Sequence, residues 1–183
     1  METSTFTINY PVICAGTEKS AITFYDGTPD LVSLYKPGED KGARYFFITD
    51  ATVGTLPCME PFVQKFDDGK CGNDSLLILG SGEKYKTIDT VLEIIRTGLE
   101  HGFNRKDIFV GIGGGVICDI TAFAASVFKR GVKVEFVPTT LLAMVDASVG
   151  GKTGCDFENY KNMIGSFYPA AKLSYFPEFI QYL

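Results

Sequence analysis

The sequence has a single histidine, His101, and no Cys-x-x-Cys pair. Its five cysteines are Cys14, Cys58, Cys71, Cys118 and Cys155. Because they are odd in number and far apart, they predict reduced thiols in a cytoplasmic protein rather than a disulfide framework. A chain of 183 residues needs no such cross-links, since a domain of about this size already hides roughly 70% of the surface of its unfolded chain.

Positive charge and long apolar runs are also scarce. The formal net charge of −5 argues against non-specific binding to nucleic acid, which requires a basic face. No apolar run approaches the roughly 18 residues that span a bilayer, and residues 1–5 have neither a basic region nor an apolar core. We therefore expect a soluble, unexported protein without a nucleic-acid or membrane partner, in which any recognition of phosphate is local.

The sequence does contain an alternation of apolar strands and amphipathic helices. Strands are predicted at 45–49, 76–79, 108–112, 133–137 and 172–176, and a short edge pair at 6–8 and 21–24, separated by Ala15-Gly16-Thr17. Helical patterns are predicted at 31–35, at 59–66, at 85–99 and after Gly115. This order predicts an α/β fold with a Rossmann-like, mostly parallel sheet and helices on both faces.

The sequence also predicts the apolar face of one helix and the place where four loops meet. The third helical pattern places these apolar residues on one helix face: Tyr85, Ile88, Val91, Leu92, Ile95 and Leu99. Parallel sheets bind ligands at the carboxyl ends of their strands. Four predicted loops start there and are expected to meet along one rim: Asp50, Ser81-Gly82-Glu83, Gly113 to Asp119, and Thr139-Thr140.

The glycine triple Gly113-Gly114-Gly115 stands where a strand meets a helix. Without Cβ atoms the backbone can approach a phosphate closely, and the helix N-terminus offers free N–H groups to it. A tight turn without a ligand is the alternative at this point. The spacing departs from the dinucleotide fingerprint at Val116, and Asp146 stands where an NTPase phosphate loop ending at Gly150-Gly151-Lys152-Thr153 would need glycine.

Charged residues near these glycines have a chemical and a structural interpretation. Asp119 either complements the helix dipole or accepts hydrogen bonds from a ribose or substrate hydroxyl. Asp146 lies among small residues, which favours close ligand approach over a solvated loop with a surface salt bridge. Three cations and an amide are available for a phosphate: Arg130, Lys152, Lys161 and Asn162. In an acidic chain such a set favours an anionic substrate.

The chain resembles 3-dehydroquinate synthase in five runs: 82–86, 113–119, 130–132, 138–153 and 161–167. The resemblance covers most of the chain after about Leu76. It implies an NAD-binding α/β domain over residues 1–176, with 177–183 beginning a second, helical domain that holds a divalent metal, zinc or cobalt. The family's metal ligands, a glutamate and two histidines, lie beyond the point that corresponds to Leu183, so no metal ligand is expected in this chain.

The resemblance also implies a reaction. Members of the family convert the sugar phosphate 3-deoxy-arabino-heptulosonate 7-phosphate to 3-dehydroquinate and phosphate, in the shikimate pathway, by transient NAD oxidation, phosphate elimination, reduction and aldol closure. The implied NAD site consists of Asp50, Ser81, Glu83, Lys86, Gly114, Gly115, Val116, Asp119, Thr139, Thr140, Lys152 and Lys161. The implied catalytic residues are Arg130, Asp146, Lys152 and Asn162, and Arg130 is a candidate to reach across a dimer interface. The full-length enzyme is expected to be a cytoplasmic homodimer, and this chain alone is expected to be inactive.

Two positions depart from the family pattern: Cys118 replaces a common glycine and Asp156 a common asparagine. Three alternatives stay open, namely another NAD-dependent sugar-phosphate cyclase, a metal-dependent polyol dehydrogenase and a non-catalytic nucleotide-binding module. The run from Lys161 to Gly165 favours the synthase over the dehydrogenases.

Overall fold

The structure is a computed structural model that describes residues 3–9 and 19–182, so Cys14 and the predicted connection at Ala15-Gly16-Thr17 lie outside the described residues. Its strands are β1 (Thr3–Asn9), β2 (Lys19–Tyr25), β3 (Tyr45–Asp50), β4 (Ser75–Leu79), β5 (Ile108–Gly113), β6 (Lys133–Pro138), β7 (Lys152–Phe157), β8 (Tyr160–Phe167) and β9 (Lys172–Tyr175). Its α-helices are α1 (Leu31–Tyr35), α2 (Ala51–Gly54), α3 (Glu60–Asp67), α4 (Ile88–Glu100) and α5 (Gly115–Val127). Short 3-10 helices cover Glu83–Tyr85, Phe128–Arg130 and Pro177–Tyr182, and a π-helix covers Ala143–Ala147.

The described strands form one seven-stranded sheet in the order β1-β2-β9-β6-β5-β3-β4, while β7 and β8 form a separate antiparallel hairpin. Only β1 runs antiparallel to its neighbour within the sheet, at one edge. The connection from β3 leads outward to β4, whereas β5 lies on the other side of β3 and leads towards β6. The strand order therefore reverses between β3 and β5, and α/β sheets bind ligands at such a reversal.

Helices cover both faces of the sheet, as predicted. Phe46 and Phe47 are consecutive in β3 and therefore point to opposite faces. Phe47 packs edge-on against Tyr35 of α1 and Phe62 of α3. On the other face Phe46 packs against Phe109, whose ring contacts Phe128 at the end of α5. The mostly parallel α/β fold predicted from the sequence is thus confirmed.

The apolar face predicted for α4 includes two residues that are not part of the buried side of the helix. Leu92 and Leu99 are 45% and 53% exposed, whereas Val91 and Ile94 are buried. Gly98 packs closely against Phe128, since a Cβ at this position would lie 3.2 Å from the Phe128 ring. The side of the helix that faces the core therefore includes Gly98 rather than Leu99. The helix also begins later than predicted, at Ile88.

Helix α5 is buried on nearly all sides because the sheet covers one side and the β7–β8 hairpin packs on another. A hydrogen bond of 2.9 Å from Ser166 Oγ to Ser126 Oγ joins the hairpin to the helix. Neither this hairpin nor α2 was predicted from the sequence.

Within residues 3–9 and 19–182, no helix combines the length and apolar character needed to cross a membrane.

Residues Pro177–Tyr182 pack on the domain: Phe179 is 1% exposed. A division of the chain at residue 176 therefore stays a prediction.

Candidate active site

A cleft of about 200 Å³ opens at the carboxyl ends of β3 and β5, where the strand order reverses. We call it the glycine cleft. It is lined by Asp50, Thr52, Val53, Leu56, Ser81, Gly82, Gly114, Gly115, Val116, Ile117, Thr139, Thr140, Phe179 and Tyr182. The four loops predicted to share one rim all contribute to this cleft, so their predicted convergence is confirmed.

Asp50 lies at the end of β3 and caps α2. Its Oδ1 accepts hydrogen bonds from the amides of Thr52 and Val53, at 2.8 and 3.0 Å, and from Ser81 Oγ at 3.0 Å. Ser81 Oγ in turn accepts from the Thr52 amide at 2.9 Å. These bonds tie the loops after β3 and β4 together and fix the Asp50 carboxylate at the mouth of the cleft.

The glycine triple forms the wall between β5 and α5. The carbonyl of Gly113 accepts a hydrogen bond from the Thr139 amide at 2.9 Å, which draws the loop after β6 to the glycines. Gly114 is the N-cap of α5 and makes no side-chain capping bond, so no side chain of the triple shields the first N–H groups of the helix. A Cβ on Gly113 would lie 2.7 Å from the Ile117 side chain, so only glycine fits there.

A second, larger cleft of about 520 Å³ lies between α5, the π-helix and the β7–β8 hairpin. We call it the hairpin cleft. It is lined by Asp119, Asp146, Ala147, Gly150, Lys152, Thr153, Asn162, Met163, Gly165, Ser166 and Phe167. Three of the four predicted catalytic residues, Asp146, Lys152 and Asn162, thus share one cleft with Asp119.

Lys86 joins the hairpin cleft to the loop before α4. Its side chain is 8% exposed, and its Nζ lies 2.6 Å from Asp119 Oδ2 and donates to Asn162 Oδ1 at 2.6 Å. Asn162 belongs to β8 and Asp119 to α5. The buried ammonium of Lys86 therefore links the loop before α4 to both of these elements. Lys86, which the family resemblance assigns to the NAD site, lines neither cleft and contacts two residues of the hairpin cleft, Asp119 and Asn162.

Burial raises the pKa of the Asp119 carboxyl above its ordinary value. The negative charges of Glu83 and Asp146 act in the same direction, while the hydrogen bond and positive charge of Lys86 oppose them. Asp119 is therefore a carboxylate that depends on one buried cation for its charge.

Asp146 lies in the π-helix Ala143–Ala147, and its side chain is exposed towards the hairpin cleft. Wide helical turns of this kind are rare and frequently occur at functional sites. Lys152 begins β7 and is also exposed. An exposed carboxylate and an exposed ammonium in one cleft can bind a ligand that carries both hydroxyl groups and an anion.

Four predicted site residues line neither cleft: Lys86, described above, and Glu83, Arg130 and Lys161. Lys161 Nζ donates to Glu83 Oε1 at 3.2 Å, and both side chains are at least half exposed. The two residues form a surface ion pair between the hairpin and the loop after β4, outside both clefts. Arg130 is exposed after α5, has a left-handed φ of 69° and lines neither cleft.

Several lining residues escaped sequence reasoning. Thr52 and Tyr182 line the glycine cleft, and Met163 and Phe167 line the hairpin cleft. Thr52 was detectable, because Asp-x-Thr after a strand is typical of a helix N-terminus. Nothing in the sequence pattern signals Tyr182, which reaches the cleft from the last described turn.

Nothing in the described parts of the chain could form a metal centre: no three His, Cys, Asp or Glu residues there are grouped to hold an ion. Cys58, Cys71, Cys118 and Cys155 are free thiols. Burial raises the pKa of the Cys118 thiol, so it packs as a small apolar residue of α5.

Known proteins match both the sequence and the fold. A 3-dehydroquinate synthase of Pyrococcus furiosus is 53% identical over 140 residues, which are 76% of this chain and 39% of that protein. One of Thermococcus kodakarensis is 45% identical over 125 residues, 68% of this chain and 35% of that protein. The matched part of the chain thus spans well under half the length of these relatives.

Among solved structures, 2-epi-5-epi-valiolone synthase of Streptomyces hygroscopicus, with NAD+ and Zn2+ bound, is 26% identical with a TM-score of 0.71 over 93% of this chain and 46% of that one. A 2-deoxy-scyllo-inosose synthase, in complex with carbaglucose-6-phosphate, NAD+ and Co2+, is 24% identical with a TM-score of 0.73 over 97% of this chain and 47% of that one, and it supports the fold alone.

A family model also matches more than half of the chain. Residues 76–183 match the model described as 3-dehydroquinate synthase N-terminal. This range holds the glycine triple, the π-helix and the hairpin, the elements that build most of both clefts. The chain belongs to the 3-dehydroquinate synthase N-terminal family.

Proposed function

We propose that this chain is the NAD-binding part of a 3-dehydroquinate synthase, which converts 3-deoxy-arabino-heptulosonate 7-phosphate to 3-dehydroquinate and phosphate. One observation carries the proposal: in a member of this family, the glycine cleft at the strand reversal lies on the same helix, α5, as the charged hairpin cleft. A dinucleotide and a sugar phosphate could therefore meet around one helix N-terminus.

The glycine cleft suits a dinucleotide. Among the described residues, only Ala147 would lie near a Cβ on Gly115, at an ordinary contact distance of 3.5 Å, so the backbone at the start of α5 is not crowded. The first amides of α5 are suited to the pyrophosphate, and Thr139 and Thr140 offer hydroxyl groups beside them. Within the described residues, the capping bonds of Asp50 all involve Oδ1, so its Oδ2 can accept from a ribose hydroxyl.

NAD, when bound, would accept a hydride from a secondary alcohol of the substrate and return it later in the same turnover. The chain's own residues would bind and orient. Asp146 would accept a hydrogen bond from a substrate hydroxyl, while Lys152 and the Asn162 amide would bind the phosphate. Lys86 would act on the substrate indirectly by holding Asn162. Arg130 lines neither cleft of its own chain. It is therefore proposed to bind the same phosphate by reaching across a dimer interface.

The described residues do not fit a catalytic metal, and we derive no step through one. A zinc or cobalt ion, a homodimer and a cytoplasmic location are parts of the proposal that rest on the family resemblance. The cytoplasmic location also agrees with the four free cysteines of the described residues, which are typical of a reducing compartment.

Another sugar-phosphate cyclase is the second candidate, because the fold matches 2-epi-5-epi-valiolone synthase over 93% of this chain. The 45–53% identities to the curated synthases favour the first candidate. Calorimetric titration of the NAD-saturated chain distinguishes them. We expect tighter binding of 3-deoxy-arabino-heptulosonate 7-phosphate than of carbaglucose-6-phosphate. The opposite order would support the second candidate, and no binding of NAD at all would contradict both.

A further inference from the structure

The β7–β8 hairpin contains an irregularity at the edge of the hairpin cleft. Cys155 pairs with Ile164 and Phe157 with Tyr160, so a single residue of β7, Asp156, faces three residues of β8. Within this bulge Asn162 adopts a left-handed φ of 51°, which asparagine tolerates better than most residues. Bulges of this kind commonly redirect a side chain next to an active site. Here the redirected side chain is that of Asn162.

Asp156 makes the bonds that hold this bulge in place. Its Oδ1 accepts a hydrogen bond of 2.7 Å from the backbone N–H of Asn162. Its own backbone N–H donates to the carbonyl of Lys86 at 2.8 Å, and a parallel bridge pairs it with Thr87. Asp156 therefore connects through its own atoms to the backbones of both Asn162 and Lys86.

The side chains of those two residues meet in turn. Lys86 Nζ donates to Asn162 Oδ1 at 2.6 Å and lies 2.6 Å from Asp119 Oδ2. The bonds thus form a closed circuit from Asp156 through Asn162 to Lys86 and back to Asp156. If one of these bonds is lost, the other two have to hold a left-handed residue in a three-residue bulge.

We propose that Asp156 is a positioning residue, which holds Asn162 in its left-handed conformation and so sets the contact of Asn162 with Lys86 in the hairpin cleft. This inference rests on the proposed function, since it gives Asn162 a ligand to bind. The required property is a hydrogen-bond acceptor at Oδ1 rather than a negative charge. An asparagine can supply the same acceptor, whereas an alanine cannot.

The test compares wild-type chain with the variants Asp156→Asn and Asp156→Ala, and with Glu158→Gln as a control that removes a nearby exposed carboxylate at the tip of the same hairpin. Two quantities are measured: hydrogen exchange of the Asn162 backbone amide by NMR, and the affinity of the NAD-saturated chain for 3-deoxy-arabino-heptulosonate 7-phosphate. We expect Asp156→Ala to accelerate exchange and to weaken binding, each about tenfold, because the hydrogen bond that holds the Asn162 backbone is lost. Asp156→Asn and Glu158→Gln are expected to stay within about twofold of wild type.

The outcomes separate this inference from the proposed function. If Asp156→Ala leaves both quantities unchanged, or if Asp156→Asn is as impaired as Asp156→Ala, Asp156 is not a positioning residue that acts through its acceptor. If the wild-type chain binds no sugar phosphate, the proposed function is at fault. The exchange rates then still decide whether Asp156 holds Asn162: faster exchange in Asp156→Ala with normal exchange in Asp156→Asn supports it, and equal rates overturn it.

Discussion

Lys86 Nζ lies 2.6 Å from Asp119 Oδ2, with 8% of the lysine side chain and 18% of the aspartate side chain exposed. This pair joins the loop before α4 to the first turns of α5, and its aspartate lines the hairpin cleft. A buried charge that loses its partner costs far more than a surface ion pair contributes. The pair should therefore be visible in measurements of stability as well as of binding.

Replacement Lys86→Met is expected to lower the free energy of unfolding by about 2–4 kcal/mol, because the Asp119 carboxylate would be left without its cation. Urea unfolding at neutral pH measures this change. Lys84→Met is the matched control, since Lys84 is exposed two residues earlier and should change stability by less than about 0.5 kcal/mol. Equal effects of the two substitutions would show that the pair has no special role.

The loss in Lys86→Met should also depend on pH. Burial already raises the pKa of Asp119, and without Lys86 it would rise further. A carboxyl whose pKa is higher in the folded state than in the unfolded state favours folding when protonated, and this contribution disappears as pH rises through the folded-state pKa. The destabilisation should therefore be smaller at pH 5 than at pH 7. The double variant with Asp119→Asn should lose this pH dependence.

The glycines of the triple should differ in their tolerance of alanine. Gly113→Ala places a Cβ 2.7 Å from Ile117, so we expect overpacking to cost about 1–3 kcal/mol. Gly115→Ala places its Cβ 3.5 Å from Ala147, an ordinary contact, and favours the helix, so its stability should stay within about 1 kcal/mol of wild type. Thermal or urea unfolding compares the two variants, and similar losses would contradict the geometry at the wall of the glycine cleft.

Asp107 should control stability in acid at the opposite end of the sheet. Burial, the largest influence, raises its pKa, but hydrogen bonds from Arg44 and from the Asn104 amide together outweigh it, so the pKa of Asp107 is lowered. A lowered carboxyl pKa stabilises the fold above the unfolded-state pKa of about 3.9, and the contribution is lost as pH falls through the folded-state value. Asp107→Asn should thus cost more at pH 7 than at pH 3. A loss that is the same at both pH values would contradict this assignment.

Without a metal site among its described residues, this chain alone should not complete the reaction. Incubation with NAD, a divalent metal and 3-deoxy-arabino-heptulosonate 7-phosphate should release no phosphate above a protein-free blank. Measurable turnover would mean that the chemistry does not require the metal site that the family resemblance implies.

Sequence reasoning succeeded where a local pattern decides the structure. Uninterrupted β-branched and aromatic runs such as residues 45–49 predicted the central strands, and the rule that parallel strands bind ligands at their carboxyl ends predicted the shared rim. Both depend on short stretches of chain. The position of the glycine cleft was therefore accessible before the structure.

The hairpin and its contacts were not accessible in this way. Strands β7 and β8 lack regular apolar alternation, and they pair closely because Gly154 faces Gly165, where a Cβ would meet the opposite backbone at 2.7 Å or less. The partners of Lys86 are 33 and 76 residues away in sequence, since they are Asp119 and Asn162. Only the tertiary fold brings such residues together. The exposure of Leu92 and Leu99 has the same origin, because packing at Gly98 decided which side of α4 is buried.

Calorimetric titration of the chain with NAD tests the central claim most directly. Wild-type protein should bind one NAD per chain, and Gly114→Val, which fills the wall of the glycine cleft, should weaken binding by at least about tenfold. Glu93→Val introduces the same side chain on the exposed face of α4 and should bind as wild type does. If wild-type protein binds no NAD, or if Gly114→Val binds as tightly as Glu93→Val, the glycine cleft is not the nucleotide site.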